Sequence, residues 1–115
     1  MITINIYQDQ NKQYKRISCE GHAVYAESGS DIICAAVSIL VINTINSLEE
    51  FTKTEFANTN FDEEKGIIDV SFPNELSSEE MLLLNSMVLG LTGIINDNTA
   101  DYVMPGYCGR ILLSE

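Results

Sequence analysis

Two side chains in this sequence can do covalent chemistry together. His22 is the only histidine in the chain, and Cys34, one of three cysteines, follows twelve residues later. A thiol attacks an amide only as thiolate, and an unassisted cysteine is mostly protonated at neutral pH. A histidine brought to the sulfur can take the thiol proton and later return it to the leaving amine. Cys34 stands near the start of a long apolar stretch that Ser30 or Asp31 can cap as a helix. The exposed N–H groups and positive dipole end of such a helix favour the thiolate, and the same N–H groups can hold an oxyanion. A third group often orients the base. Asp31 is one candidate and Ser38, one turn beyond Cys34, is the other. The Asp31 carboxylate works against a neighbouring thiolate unless it is occupied in capping the helix or orienting the histidine.

Each of these residues also has a plainer reading. A cysteine in an apolar run is often a small buried hydrophobe, a lone histidine is often a surface loop residue, and a helix serine often bonds back to the preceding turn. Cys19 ends a strand and Cys108 lies in the tail, so both read as structural. Cys19-x-x-His22 has metal-ligand spacing, and Cys34 with Cys108 could complete a zinc site. There is no second close pair, however, and Cys34 at a helix start is poorly placed for it. The expectation is therefore no metal and no cofactor.

The segments that must position the pair follow from periodicity. Ile2, Ile4 and Ile6 alternate with polar residues, as in a half-buried strand. Asp9-Gln10-Asn11 supplies a turn, and residues 14–19 return as the partner strand. Residues 20–30 lose all period; the glycines Gly21 and Gly29 and small polar residues mark a functional loop that includes Ala23 and is expected to gate substrate. A helix should then run to about Phe51. Its first half is apolar nearly all round, which places it at the centre of the domain or in an oligomer interface. A second hairpin follows, with strands at 54–61 and 67–72 and a turn at 62–66. Ser77-Ser78-Glu79-Glu80 fits a capping box for a second helix, with Leu76 and Met81 spaced as a staple. Met81, Leu84, Val88, Leu91 and Ile95 make its main stripe, widened by Leu83 and Met87, and Gly90 and Gly93 weaken it but permit close packing. Residues 111–113 could add a last edge strand after Pro105-Gly106. The order strand-strand-helix-strand-strand-helix predicts a two-layer α+β domain of antiparallel hairpins covered by two helices.

At 115 residues the chain is read as a single domain over 1–115, with 98–115 a tail that resists placement. The net charge of -11 argues against nucleic acid, whose phosphates need a basic footprint, and suits a basic partner. The longest apolar run, residues 32–42, is too short to span a bilayer, and the N-terminus has no signal-peptide pattern. Three cysteines, an odd number, suggest free thiols and a cytoplasmic location.

The string Gly21-His22-Ala23, then Gly29-Ser30-Asp31-Ile32-Ile33-Cys34-Ala35-Ala36-Val37-Ser38, resembles the signature of the bacterial ribosomal-processing cysteine protease family (Prp). The resemblance extends to the order of elements over some four-fifths of the chain, residues 1–95. It implies that Cys34 and His22 are the catalytic pair, with Asp31 and Ser38 at recurrent positions of less settled role. It further implies endoproteolytic removal of the N-terminal extension of a ribosomal large-subunit protein precursor, by a homodimer. The tail from Asn98 departs from the pattern. The competing reading is a non-enzymatic dimeric module whose acidic face binds a basic ribosomal protein, with Cys34 inert; a redox sensor using Cys34 is a third.

Overall fold

Alternation at the N-terminus becomes a strand, β1 (Ile2–Gln8), with Ile4 and Ile6 fully buried and Asn5 and Tyr7 on the opposite face. The computed structural model describes residues 2–20, 30–62, 66–101 and 109–114, with side chains described over 4–20, 35–62 and 66–94. The first turn is tied by Asp9, whose Oδ1 accepts the N–H groups of Asn11 (2.8 Å) and Gln13 (3.0 Å). Lys12 takes a left-handed conformation there (φ 63°), and the chain returns as β2 (Tyr14–Glu20), antiparallel to β1.

The helix α1 (Ser30–Phe51) and the strands β3 (Ala57–Asp62) and β4 (Ile67–Ser71) follow, then the helix α2 (Ser78–Asp101) and the strand β5 (Gly109–Ser114). The five strands form one sheet in the order β3-β4-β2-β1-β5, antiparallel except for β5, which runs parallel to β1. The expected last edge strand is therefore present, and it is the element that the hairpin pattern alone could not place. Both helices cover one face of the sheet. Ile4, Ile6, Ile17, Cys19 and Val70 meet Val37, Val41, Ile45 and Leu48 from α1 and Leu84, Met87 and Leu91 from α2 in a single core. The other face carries Asn5, Tyr7, Arg16, Ser18, Asp69 and Ser71, where Arg16 grips Asp69 with two hydrogen bonds (2.9 and 2.6 Å) and lies 5.3 Å from the centre of the Tyr7 ring.

Three details depart from the periodicity. The third strand begins at Ala57, not at Thr54, because Thr54 is held elsewhere: its hydroxyl lies 2.6 Å from that of Thr52 and donates to Glu80 at the start of α2. On α2 the core side centres on Leu84, Met87 and Leu91, while Met81 and Val88 are only partly buried. On α1 the all-round apolar character does not bring all-round burial: Ile39 and Ile42 face solvent. The capping box is formed as the spacing predicts. Ser77 Oγ accepts the Glu80 N–H (3.2 Å) and Glu80 Oε1 accepts the Ser77 N–H (2.9 Å). Burial raises the Glu80 carboxyl, but the hydrogen bonds from Thr54 and Ser77 outweigh it and hold the group below its ordinary value. Buried Tyr14 reaches Asn85 on α2 with its hydroxyl (2.6 Å), and desolvation pushes its phenol up. Among the described residues, no helix is long and apolar enough to cross a membrane.

Candidate active site

The central strand and the first helix set the two ends of the segment that carries the chemistry. β2 has β4 on one side and β1 on the other, so its last residue, Glu20, is fixed in register with both Thr3 and Ile67. Cys19, one residue earlier, is buried in the core in register with Ile4 and Ile68, which agrees with its structural reading. Residues 21–29 connect this strand end to α1, and His22 is the second residue after the strand.

Cys34 is the fifth residue of α1. It therefore lies at the N-terminal end, next to the turn whose N–H groups have no partner within the helix, and within reach of the positive end of the dipole. Because the helix starts at Ser30, Asp31 stands inside its first turn, where a carboxylate is favourable to the helix. Ser38 is half-buried one turn after Cys34 and on the same side of the helix. The next positions inward, Val37 and Val41, are fully buried against the sheet and fix α1 in place. The structure thus carries Asp31, Cys34 and Ser38 on one short stretch at the start of α1. Gly21, His22, Ala23 and Gly29, and with them the gating loop, lie outside the described residues, as does Cys108. Among the described residues, no group of three His, Cys, Asp or Glu side chains is placed to hold a metal ion.

The register adds two residues that local pattern could not bring together. At this end of the sheet a cross-strand row runs Thr3, Glu20, Ile67, Asp62, so two carboxylate-bearing positions from separate hairpins share the rim beside the loop. Only the β2–β4 and β3–β4 pairings reveal this; no sequence spacing encodes it. Chemically, a cysteine near the start of a helix suits a thiol nucleophile.

Known proteins agree with that chemistry. The family described as Cysteine protease Prp matches residues 1–104. A ribosomal processing cysteine protease Prp from Staphylococcus aureus (strain NCTC 8325 / PS 47) is 28% identical over 94 residues, covering 82% of this chain and 88% of that protein. Its namesake from Bacillus subtilis (strain 168) is 29% identical over 101 residues, covering 84% and 89%. The fold is shared with a crystal structure of the ribosomal processing protease Prp from S. aureus in complex with a substrate peptide (TM-score 0.83, 22% identity, 99% of this chain and 100% of that one). It is shared equally with the S. aureus enzyme carrying a covalently linked product peptide (TM-score 0.80, 23% identity, 99% and 100%). With nearly its whole length matched by the family and its fold, this chain belongs to the Prp family of cysteine proteases.

Proposed function

We propose that the chain is a cytoplasmic thiol endopeptidase that removes the N-terminal extension of a ribosomal large-subunit protein, with Cys34 as nucleophile and His22 as general base, and that it works as a homodimer. The observation that carries this reading is the place of Cys34, the fifth residue of a helix anchored in the core, in a member of a cysteine protease family. His22 takes the Cys34 proton, and the sulfur adds to the scissile carbonyl carbon. N–H groups at the start of α1 hold the oxyanion. As the tetrahedral species collapses, the carbon–nitrogen bond breaks and His22 gives the proton to the leaving amine. Water, deprotonated by His22, then attacks the thioester and releases the carboxylate product and the free thiol. Asp31 or Ser38 supports the pair by orienting His22 or the first turn.

The direct test is incubation of the protein with the precursor of the ribosomal protein, followed by intact mass. The expected result is one cleavage that detaches the extension, and its loss in Cys34→Ala. A precursor that stays intact with wild-type protein, or is cut equally by Cys34→Ala, would overturn the assignment.

A further inference from the structure

A helix gains from cations in its last turn, against the negative end of its dipole. α1 does the reverse: its last turn holds no basic residue and carries Glu49 and Glu50. On α2 the acidic pair, Glu79 and Glu80, stands in the first turn, where carboxylates are favourable. Neither Glu49 nor Glu50 makes an ion pair or a side-chain hydrogen bond with a described residue. The last carbonyls of a helix have no donor within it. Here the Leu48 carbonyl is met by the N–H (3.2 Å) and the hydroxyl of Thr52, while those of Glu49, Glu50 and Phe51 accept no bond from a described residue. These three residues line an open pocket of about 420 Å³ together with Asn43, Asn46 and Ser47. The Phe51 side chain is 74% exposed there. The pocket thus joins a cavity, an aromatic ring, two carboxylates and a row of open carbonyls, with no cation in its wall.

We infer that this pocket is an exosite, which takes an arginine or lysine side chain from a basic stretch of the substrate protein away from the bond that is cut. The inference rests on the protease reading and adds to it a second point of attachment. The occupant follows from the chemistry of the wall. A guanidinium can donate to a glutamate and to the open carbonyls while its plane lies on the Phe51 ring. A metal ion fits poorly, because neighbouring glutamates stand about 100° apart around a helix and do not converge on one point. Among the described residues, no group of three possible ligands gathers there either. A second copy of the chain, at -11, and an anionic membrane surface are both repelled by the glutamates. Lys53, two residues beyond Phe51, is exposed and makes no ion pair with a described residue, so it leaves the two glutamates unneutralised. Cys34 and Glu50 belong to the same helix, and at 1.5 Å per residue they stand about 24 Å apart along it. An extended chain spans that distance with about seven residues. One straight, core-anchored helix therefore carries the nucleophile near one end and the cation pocket at the other.

Binding is read without cleavage by titrating a short arginine–glycine repeat peptide into the isotope-labelled Cys34→Ala protein and following amide shifts by NMR. The shifts are expected at residues 46–53 and should fade as salt is raised. The combined variant Glu49→Gln, Glu50→Gln, Phe51→Ala should bind the peptide on the order of tenfold more weakly. Glu75→Gln with Glu79→Gln removes as many charges from exposed positions outside the pocket and should change binding by less than about twofold. All these positions are exposed, so far-UV circular dichroism should match wild type. In the cleavage assay the pocket variant should raise KM for the precursor about tenfold and leave kcat unchanged, because an attachment far from the bond acts on binding alone. A peptide that holds only the cleavage point should be cut by the variant as by wild type. Shifts that appear elsewhere or nowhere would overturn the inference. So would equal weakening by both charge-removing variants, which would mean attraction to the overall field, or an unmoved KM for the precursor. A protein that binds the peptide at this pocket yet cuts no precursor would support the cation pocket and refute the protease reading, so the two failures are told apart.

Discussion

The two glycines of α2 should respond in opposite ways to alanine. In a helix interior alanine is favoured over glycine by about 0.8–1.0 kcal/mol. At Gly93 a new β-carbon meets nothing within 4 Å, so Gly93→Ala should keep this whole gain. With an unfolding entropy near 2.1 cal/mol/K per residue, a domain of this length should melt about 4 °C higher. At Gly90 the β-carbon would stand 2.7 Å from Leu40 Cδ2, roughly 1 Å inside an ordinary carbon–carbon contact. Leu40 is only half-buried and the clash is with its methyl end, so the side chain can swing away. Doing so leaves its rotamer well or parts the helices, and overpacking of this kind costs about 1–3 kcal/mol. The net for Gly90→Ala is a loss of about 1 kcal/mol. Urea unfolding followed by circular dichroism measures both. In a Leu40→Ala background the clash is absent, and Gly90→Ala should then stabilise by about 1 kcal/mol, a coupling near 2 kcal/mol. A Gly90→Ala protein as stabilised as Gly93→Ala, with no coupling to Leu40, would show that the helices do not approach as closely as described.

The capping box should govern the acid limb of stability. Glu80 is held below its ordinary pKa in the folded state, so its contribution is complete above the unfolded carboxylate value of about 4.3 and is lost as pH falls through the folded value. Thr54→Val removes one of the bonds that depress it, so acid unfolding of that variant should begin at higher pH than in wild type; identical acid profiles by circular dichroism would contradict the link. Ser77→Ala should cost about 1 kcal/mol at neutral pH in chemical denaturation. Tyr14→Phe removes the bond to Asn85 and should cost about 0.5–1.5 kcal/mol; no measurable change would mean that the phenol is equally satisfied by water. In the cleavage assay, His22→Ala should lose on the order of a hundredfold or more, the scale of a missing general base. Cys19→Ala should cut normally, since Cys19 is a core residue of β2, and slower chemistry in that variant at unchanged stability would reassign it.

What the sequence made legible was what depends on neighbours. The alternation Ile2, Ile4, Ile6 gives β1, and Ser77 with Glu80 gives the start of α2, because strand faces and caps are settled within a few residues. Thr54 defeated the same logic. Its β-branched side chain reads as strand, but its partner is Glu80, 26 residues away, and that tie keeps residues 54–56 out of the sheet. β5 could be recognised as a strand but not placed, since its parallel pairing with β1 joins the two ends of the chain and leaves no local trace. The apolar circumference of α1 was readable, while the exposure of Ile39 and Ile42 was not, because periodicity cannot say how many sides have something to pack against. For the site, residue types and spacing pointed to Cys34 and His22, and the structure supplies the two anchors, the end of β2 and the start of α1. The rim made by Glu20 and Asp62 needed strand register, which a one-residue slip would have changed.

The way the anchors are built bears on how such a site tolerates change. β2 is the central strand, hydrogen-bonded on both sides, and its inward residues Ile17 and Cys19 are buried. α1 is fixed by Val37, Val41, Ile45 and Leu48, all on the side that meets the sheet. Cys34 therefore stands on a helix held in the core, and the segment that carries His22 follows a strand paired on both sides. Positioning within a hydrogen bond's length is required for proton transfer, and a shift of about 1 Å can cost a hundredfold in rate. A conservative cavity such as Val41→Ala should lower stability by a few kcal/mol at most, while letting α1 settle on the sheet and carry Cys34 with it. The cleavage rate is thus expected to fall further than the folded fraction does at the same temperature. Equal losses in the two would mean that α1 holds its position without Val41, and that the spacing of the pair is set elsewhere.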